Sequence, residues 1–204
     1  YLLDDLDDVR KQVEHLGFEN DALRASLEAI DNSADPEMEA GEGRHPYIPI
    51  DIGDFLDILR ELDSYLEDDP DFSHSTLKYR PFSFLEIGCG TGRNLHLILK
   101  QEKVGVAKCV GFDCSPELIE AARRVYGLGT DVFVHDCMDF DYSGFDVIYF
   151  YRPFSDGGKQ IDFEDVLVDR VKSGSIIVGI CSEILGESRH LITLNLAKGI
   201  FKKI

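Results

Sequence analysis

The sequence predicts an α/β fold in which helices flank a mostly parallel sheet, with a helical extension in front of it. From Phe82 onward, short apolar runs suited to strands alternate with amphipathic segments suited to helices. This alternation is typical of βαβ units and therefore of parallel strands. The tail differs, because Leu191–Leu196 and Ile200–Ile204 are separated only by a short turn-like segment. It predicts a closing antiparallel hairpin.

The first quarter of the chain has another character. In Leu2–Ile30, apolar residues recur at steps of three, four or seven among many acidic ones, which predicts an amphipathic helix. Asp31–Pro46 is polar and contains two prolines and two glycines, as expected of a linker. A second helix is predicted over Ile52–Leu66. We therefore predict an acidic helical extension and linker over residues 1–46, and one main domain over residues 47–204.

Within the main domain, five short apolar runs predict strands, and the segments between them predict helices. The strands are expected at Phe84–Ile87, Cys109–Phe112, Asp131–His135, Asp146–Tyr151 and Ser175–Ile180. The helices are expected at Thr91–Leu99, Pro116–Tyr126 and Phe163–Val171. Ser115 gives the second of these helices an N-cap, and Pro116 suits its first turn.

Composition excludes several classes of protein. The net charge of −18 disfavours nucleic acid as a substrate, because an acidic surface repels phosphates. No apolar run approaches the roughly 20 residues of a membrane-spanning helix. The five cysteines form no C-x-x-C pair and their number is odd. Neither a disulfide framework nor a metal site is therefore predicted, and a reducing cytoplasm is the expected location.

A glycine-rich turn follows the first strand, where the chain reads Phe84-Leu-Glu-Ile-Gly-Cys-Gly-Thr-Gly-Arg-Asn94. Glycines let the chain turn sharply and let a ligand lie against bare backbone. A dinucleotide site would read G-x-G-x-x-G, whereas this turn reads G-x-G-x-G and follows Glu86. A carboxylate repels a pyrophosphate but attracts an ammonium or sulfonium group. This charge favours S-adenosylmethionine (SAM) over NAD as the ligand.

Three further features follow predicted strands. Asp113 ends the second strand about 25 residues beyond Gly88, close to the position from which an acid binds a ribose. Asp136 follows the third strand, where it suits either an adenine amino group or an ordinary turn. The fourth strand runs into the aromatic and proline-containing segment Tyr151–Phe154. Ligands of parallel sheets lie at the carboxyl ends of the strands, so all these features converge on one edge.

From about Tyr47 to the C-terminus, the chain resembles the class I SAM-dependent methyltransferases. Leu85–Gly92 resembles the first motif of that family, and Gly111–Pro116 resembles the second. The resemblance implies a Rossmann-like sheet of seven strands, SAM as cofactor and S-adenosylhomocysteine (SAH) as product. It assigns cofactor binding to Glu86, Gly88, Cys89, Gly90, Gly92, Asn94, Asp113, Cys114, Ser115, Asp136 and Cys137.

The resemblance weakens after the fourth strand. Family members that methylate base or glutamine amino groups often carry Asn/Asp-Pro-Pro-Tyr/Phe there, but Tyr151 replaces the amide or acid of that motif. If the reaction uses a general base, Tyr151 and His190 are the candidates, although His190 also suits an ordinary surface position. Arg152 and Pro153 are expected on the substrate side. Tyr47 is expected either to fold over the cofactor or simply to pack.

These features predict a SAM-dependent methyltransferase with a small-molecule acceptor, and a protein acceptor as the second choice. A scaffold that has lost catalysis and a SAM-fold enzyme of other chemistry, such as aminopropyl transfer, are the alternatives. The apolar stripe of Leu2–Ile30 needs a cover. It is expected to pack as a lid on its own domain or to mediate a dimer, and Gly17 makes a long coiled coil the weaker option.

Overall fold

The computed structural model describes residues 48–100 and 105–204. The predicted helix at Leu2–Ile30, the linker, the domain boundary at residue 46 and Tyr47 therefore lie outside the described residues. In the described ranges, the helices are α1 (Ile52–Asp68), α2 (Arg93–Lys100), α3 (Pro116–Tyr126) and α4 (Gly157–Arg170). The strands are β1 (Phe82–Ile87), β2 (Val106–Asp113), β3 (Val132–Val134), β4 (Val147–Tyr151), β5 (Ile176–Ile180), β6 (Leu191–Asn195) and β7 (Ile200–Lys203).

The seven strands form one sheet in the order β3-β2-β1-β4-β5-β7-β6. Strands β1 to β5 are parallel to one another, whereas β7 is antiparallel to β5 and to β6. The predicted α/β class, the mostly parallel sheet and the closing hairpin are confirmed. The first strand, β1, lies inside the sheet. The chain continues through β2 to β3 at one edge and then returns to β4, which lies on the other side of β1.

The two faces of the sheet differ. On one face, Leu85, Ile148 and Phe150 join α4 in an apolar cluster, with the ring of Phe163 packed edge-on at 5.1 Å from Phe150. The other face carries Glu86 in register with Gly111 on β2 and with Tyr149 on β4. Helices α1 and α2 cover that second face. Polar side chains at the carboxyl end of the second face are therefore buried beneath helices.

Local capping explains where the helices begin. Asp51 accepts hydrogen bonds from the amides of Gly53 and Asp54 at the start of α1. Ser115 caps α3 as predicted, and α3 ends at Gly127 in the left-handed conformation. Helix α4 begins at Gly157, six residues before the predicted start at Phe163, because the side chain of Asp156 caps it by accepting from the amide of Lys159.

In the described ranges, no helix has the length and apolar character required to cross a membrane. No group of three or more histidine, cysteine or acidic side chains is arranged there to hold a metal ion.

Candidate cofactor and active site

The candidate site lies where β1 and β4 lead the chain to opposite sides of the sheet. Strand β1 has β2 on one side and β4 on the other, so the connections after these strands diverge. In parallel α/β sheets, ligands bind in the crevice at such a point, outside the carboxyl ends of the strands. The glycine-rich turn, Asp113 and Tyr151 all follow or end strands at this edge.

The turn after β1 requires its glycines. Gly88, Gly90 and Gly92 have φ angles of 70°, 53° and 77°, which side chains of L-residues rarely adopt. The amides of Gly88 and Cys89 both donate to the carbonyl oxygen of Phe112 at 2.9 Å. Gly90 N donates to Asp113 Oδ2 at 3.0 Å, and Gly92 N donates to Cys89 O at 2.8 Å. These four amides hold the turn in place and are not aimed at a ligand phosphate.

The glycines serve two different purposes. A Cβ atom added at Gly88 would meet nothing within 4 Å, so this glycine presents open backbone to a ligand. A Cβ at Gly92 would lie 2.3 Å from Leu128 Cδ1, and one at Gly111 would lie 2.7 Å from both Cys89 Cβ and Leu95 Cδ1. Gly92 therefore allows close packing on the segment after α3. Gly111, whose role the sequence analysis missed, allows the turn to rest on β2.

Glu86 is a buried acid directly below this turn. Its side chain is 3% exposed, and Asn94 Nδ2 donates to its Oε1 atom at 2.7 Å. The other oxygen, Oε2, finds no hydrogen-bond partner among the described residues. Burial raises the pKa of Glu86 to about 8, although the Asn94 hydrogen bond and the positive charge of Arg93 act in the opposite direction. The site thus holds a carboxyl group that a nearby cation would ionise.

Arg93 is a second functional candidate that sequence reasoning missed. It opens α2 but is only 4% exposed, and its guanidinium donates to Ile50 O and to Asn94 Oδ1. The backbone just before α1 is thereby tied to the pair formed by Asn94 and Glu86. The sequence signal was an arginine immediately after the last glycine of the turn, at a position that must face either solvent or the site.

Asp113 ends β2 beside the glycine turn. Its side chain is 9% exposed, and Oδ1 accepts from the amide of Ser115 at 2.9 Å while Oδ2 accepts from Gly90 N. Each carboxylate oxygen has a second lone pair, so Asp113 retains capacity to accept ribose hydroxyls. Ser115 Oγ accepts from Leu118 N and donates to Glu117, which commits this side chain to the helix cap. Cys114 is exposed between them.

Asp136 and Cys137, which follow β3, have different surroundings. Asp136 is half-buried, and its Oδ1 accepts from the amide of Met138 at 2.9 Å. Cys137 is buried in the apolar cluster on the α4 face, and its carbonyl accepts from the Tyr142 hydroxyl at 2.6 Å. Asp136 is therefore the polar candidate of this pair, whereas the Cys137 side chain contributes to the core.

A comparison with known proteins identifies the region. Residues 84–166, which run from β1 into α4, match the methyltransferase domain family. This segment is therefore similar to a methyltransferase domain. The sheet order and this match confirm the Rossmann-like methyltransferase fold that the resemblance implied.

Solved structures share the fold. An RNA methyltransferase from Salinibacter ruber, in complex with SAH, is 18% identical, with a TM-score of 0.50, over 76% of this chain and 90% of its own. The plantazolicin methyltransferase BpumL, in complex with a pentazolic desmethylPZN analogue and SAH, is 27% identical over 62% of this chain and 46% of its own, with a TM-score of 0.47. A SAM-dependent methyltransferase from Clostridium acetobutylicum is 17% identical over 64% and 50%, with a TM-score of 0.46.

The chain spans about half the length of the second and third of these proteins. No curated protein matches its sequence.

The loops after β4 and β5 lie at the same edge of the sheet as the candidate site. Tyr151 ends β4 and is 38% exposed. Arg152 and Cys181, which directly follow the two strands, have positive φ angles of 29° and 55°. Arg152 Nη1 donates to Cys181 O at 3.2 Å and lies 2.6 Å from Glu183 Oε1. Strained backbone held by such contacts is frequent at binding sites.

A buried pair on α4 supports the same two loops. Glu164 is fully buried and accepts hydrogen bonds from the amides of Glu183 and Ile184, at 2.8 and 2.7 Å. It also accepts from Gln160 Nε2 at 2.8 Å, while Gln160 Oε1 accepts from the amide of Phe154. Glu164 therefore fixes the post-β4 loop relative to the post-β5 loop. In the sequence, Glu164 is simply an acidic residue within the predicted helix Phe163–Val171, and nothing there indicates its role.

His190, one of the two residues predicted as a candidate general base, lies away from the candidate site. It precedes β6, whose first residue, Leu191, pairs with Lys203 at the end of antiparallel β7. Its carbonyl accepts from Ile204 N at 3.1 Å. Because β7 runs opposite to β5, its last residues lie beside the beginning of β5. His190 is therefore at the amino edge of the sheet, away from the carboxyl ends of β1 and β4.

The location of His190 at the amino edge of the sheet leads to a direct prediction. Replacing His190 with alanine should leave the dissociation constant of SAM and the rate of methyl transfer within about two-fold of wild type, since most surface substitutions cost little. Calorimetry with SAM and a transfer assay with labelled methyl groups measure both quantities. A large loss of turnover with unchanged SAM binding would show that His190 takes part in methyl transfer.

Proposed function

We propose that the chain binds SAM at the carboxyl edge of β1, β2 and β4 and transfers its methyl group to a small-molecule acceptor, with release of SAH. The observation that carries the proposal is the buried Glu86 carboxyl beneath the glycine turn. Among the described residues, one of its oxygens has no hydrogen-bond partner, and Gly88 leaves space for a ligand. SAM carries two cationic groups. A buried acid at this position suits it far better than it suits a pyrophosphate.

The residues present fit the parts of this cofactor. Glu86 lies where it can balance the ammonium of the methionine end. Asp113, at the end of β2, has free acceptor capacity for the two ribose hydroxyls, and the half-buried Asp136 is the candidate for the adenine amino group. Gly88 would let the methionine end approach the backbone.

The cofactor supplies the activated methyl group, whose carbon forms a bond to the acceptor as its bond to sulfur breaks and the electron pair stays on sulfur. The chain supplies proximity and alignment for this in-line displacement. Tyr151, exposed at the carboxyl end of β4, is the candidate to receive the proton that the acceptor loses. Arg152 and Pro153 line the acceptor side, and Glu164 keeps the surrounding loops in place.

Two observations support a small acceptor. The connection from β5 to β6 contains only the three-residue 3-10 turn Leu185–Glu187 within the described residues, so it builds no broad docking platform. The net charge of −18 opposes a phosphate backbone. The odd number of cysteines and the lack of a C-x-x-C pair support action in a reducing compartment such as the cytoplasm.

The acceptor class is tested by incubating the protein with methyl-labelled SAM and three separate fractions of a cell extract, namely metabolites, protein and RNA. We expect label in the metabolite fraction, and much less of it at a limiting SAM concentration when Asp113 is replaced by alanine. Label confined to protein or RNA would overturn the small-molecule assignment. Binding of SAM with no label in any fraction would favour the scaffold or aminopropyl-transfer alternatives.

The raised pKa of Glu86 predicts that SAM affinity depends on pH. In the free protein, the carboxyl is mostly protonated below its pKa of about 8. A bound cation favours the ionised form, so binding must release a proton. Affinity should therefore rise by up to about ten-fold per pH unit between about pH 6 and pH 8, and then level off.

Calorimetry at several pH values, in buffers of different ionisation enthalpy, measures both the affinity and the released protons. The matched control is Glu86→Gln, which has no proton to lose, so any titration of the ligand itself remains in this variant. Equal pH slopes in wild type and Glu86→Gln would contradict the role of Glu86.

A further inference from the structure

Tyr149 is a buried tyrosine in the middle of β4, on the face of the sheet that carries Glu86. The two residues are register partners on neighbouring parallel strands, so their side chains leave the sheet in the same direction. Tyr149 is 2% exposed. The ring of Phe55 from α1 packs edge-on against it, with the ring centroids 5.3 Å apart.

The Tyr149 hydroxyl finds no hydrogen-bond partner within the described ranges, and the same is true of Glu86 Oε2. A buried polar atom without a partner costs about 1–3 kcal/mol, and buried tyrosine hydroxyls usually find a partner. Two such atoms on adjacent, in-register residues of one face point to a common partner. Burial raises the pKa of the Tyr149 hydroxyl, and the negative charge of Glu86 raises it further.

Among the described residues, the two donors that act on Glu86 make no hydrogen bond to its Oε2 atom. Asn94 Nδ2 donates to the other oxygen of Glu86, and the Arg93 guanidinium donates to Ile50 O. Asp113, the other charged group that acts on Glu86, is an acceptor and cannot satisfy a second acceptor. A cation with several N–H donors can donate hydrogen bonds to a carboxylate oxygen and a phenol oxygen at the same time.

We propose that Tyr149 is a cofactor-binding residue whose hydroxyl, together with Glu86 Oε2, receives the ammonium of the methionine end of SAM. An ammonium has three donors, so it can bond to both oxygens at once. The phenol stays protonated because of its raised pKa, and its own O–H can therefore donate to the Glu86 carboxylate. This inference rests on the proposed binding of SAM, but it assigns a residue outside the glycine turn.

The test is calorimetry of Tyr149→Phe with three ligands. SAM carries the ammonium and carboxylate, decarboxylated SAM carries the ammonium alone, and 5′-methylthioadenosine carries neither. We expect the dissociation constants of SAM and decarboxylated SAM to rise about ten-fold, and that of 5′-methylthioadenosine to stay within about two-fold of wild type. Tyr142→Phe is the control, since that buried hydroxyl bonds to Cys137 O on the α4 face.

Three outcomes overturn the inference: unchanged SAM affinity, an equal loss for all three ligands, or a loss for SAM that decarboxylated SAM does not share. The last would assign Tyr149 to the carboxylate instead. In the double variant Glu86→Gln/Tyr149→Phe, the two losses should be smaller together than their sum, because both residues hold one group. Failure of wild type to bind SAM at all would refute the proposed function, which is a different result.

Discussion

Replacing Asp113 with alanine should weaken SAM binding by roughly 5- to 150-fold, which corresponds to about 1–3 kcal/mol. The loss has two sources. The ribose hydroxyls lose a charged acceptor, and the amides of Gly90 and Ser115 lose the oxygens that now hold the turn and the start of α3. Few side chains in this site support both the proposed ligand and the glycine turn.

Calorimetry with SAM measures this effect, and Asp113→Asn separates its two sources. Asparagine keeps one acceptor oxygen and the shape of the side chain, but loses the charge. We expect it to bind SAM more weakly than wild type and more tightly than the alanine variant. An alanine variant with wild-type affinity would mean that Asp113 only organises the turn and the helix.

Replacing Gly111 with alanine should both destabilise the protein and weaken SAM binding. The added Cβ would lie 2.7 Å from Cys89 Cβ and from Leu95 Cδ1, so the glycine turn or α2 must move away from β2. Overpacking of this kind typically costs about 1–3 kcal/mol, which corresponds to a fall in Tm of about 2–12 °C for a chain of this size. Because Cys89 belongs to the turn, the displacement reaches the site.

Gly144→Ala provides the matched control, since a Cβ there would meet nothing within 4 Å. Thermal unfolding and SAM calorimetry on both variants measure the difference. If Gly111→Ala had the Tm and SAM affinity of Gly144→Ala, the turn would have room that the structure does not show.

Most of the fold was predictable because its signals are local. Apolar runs marked the five parallel strands, and Ser115 with Pro116 fixed the start of α3 at the correct residue. The start of α4 was missed, because Gly157 and Gly158 argue against a helix while the capping side chain of Asp156 outweighs them. Strand β2 was predicted too short, since its first residues are partly exposed and do not form an apolar run.

The cofactor half of the candidate site could be proposed from the sequence for the same reason. Glu86, the glycines and Asp113 occupy short motifs directly after strands. Arg93, Tyr149 and Glu164 were not predicted as functional, because their importance depends on which strands are neighbours and which loops they join. The location of His190 was not predictable for this reason as well. Only the direction of β7 shows which edge of the sheet the residue occupies.

The most direct test of the central claim is a calorimetric titration of the intact protein with SAM, SAH and NAD at a pH above 8. The account predicts saturable binding of SAM and SAH, and a markedly weaker or undetectable signal with NAD. Glu86 is ionised under these conditions, and its carboxylate repels a pyrophosphate. Tighter binding of NAD than of SAM would contradict the account.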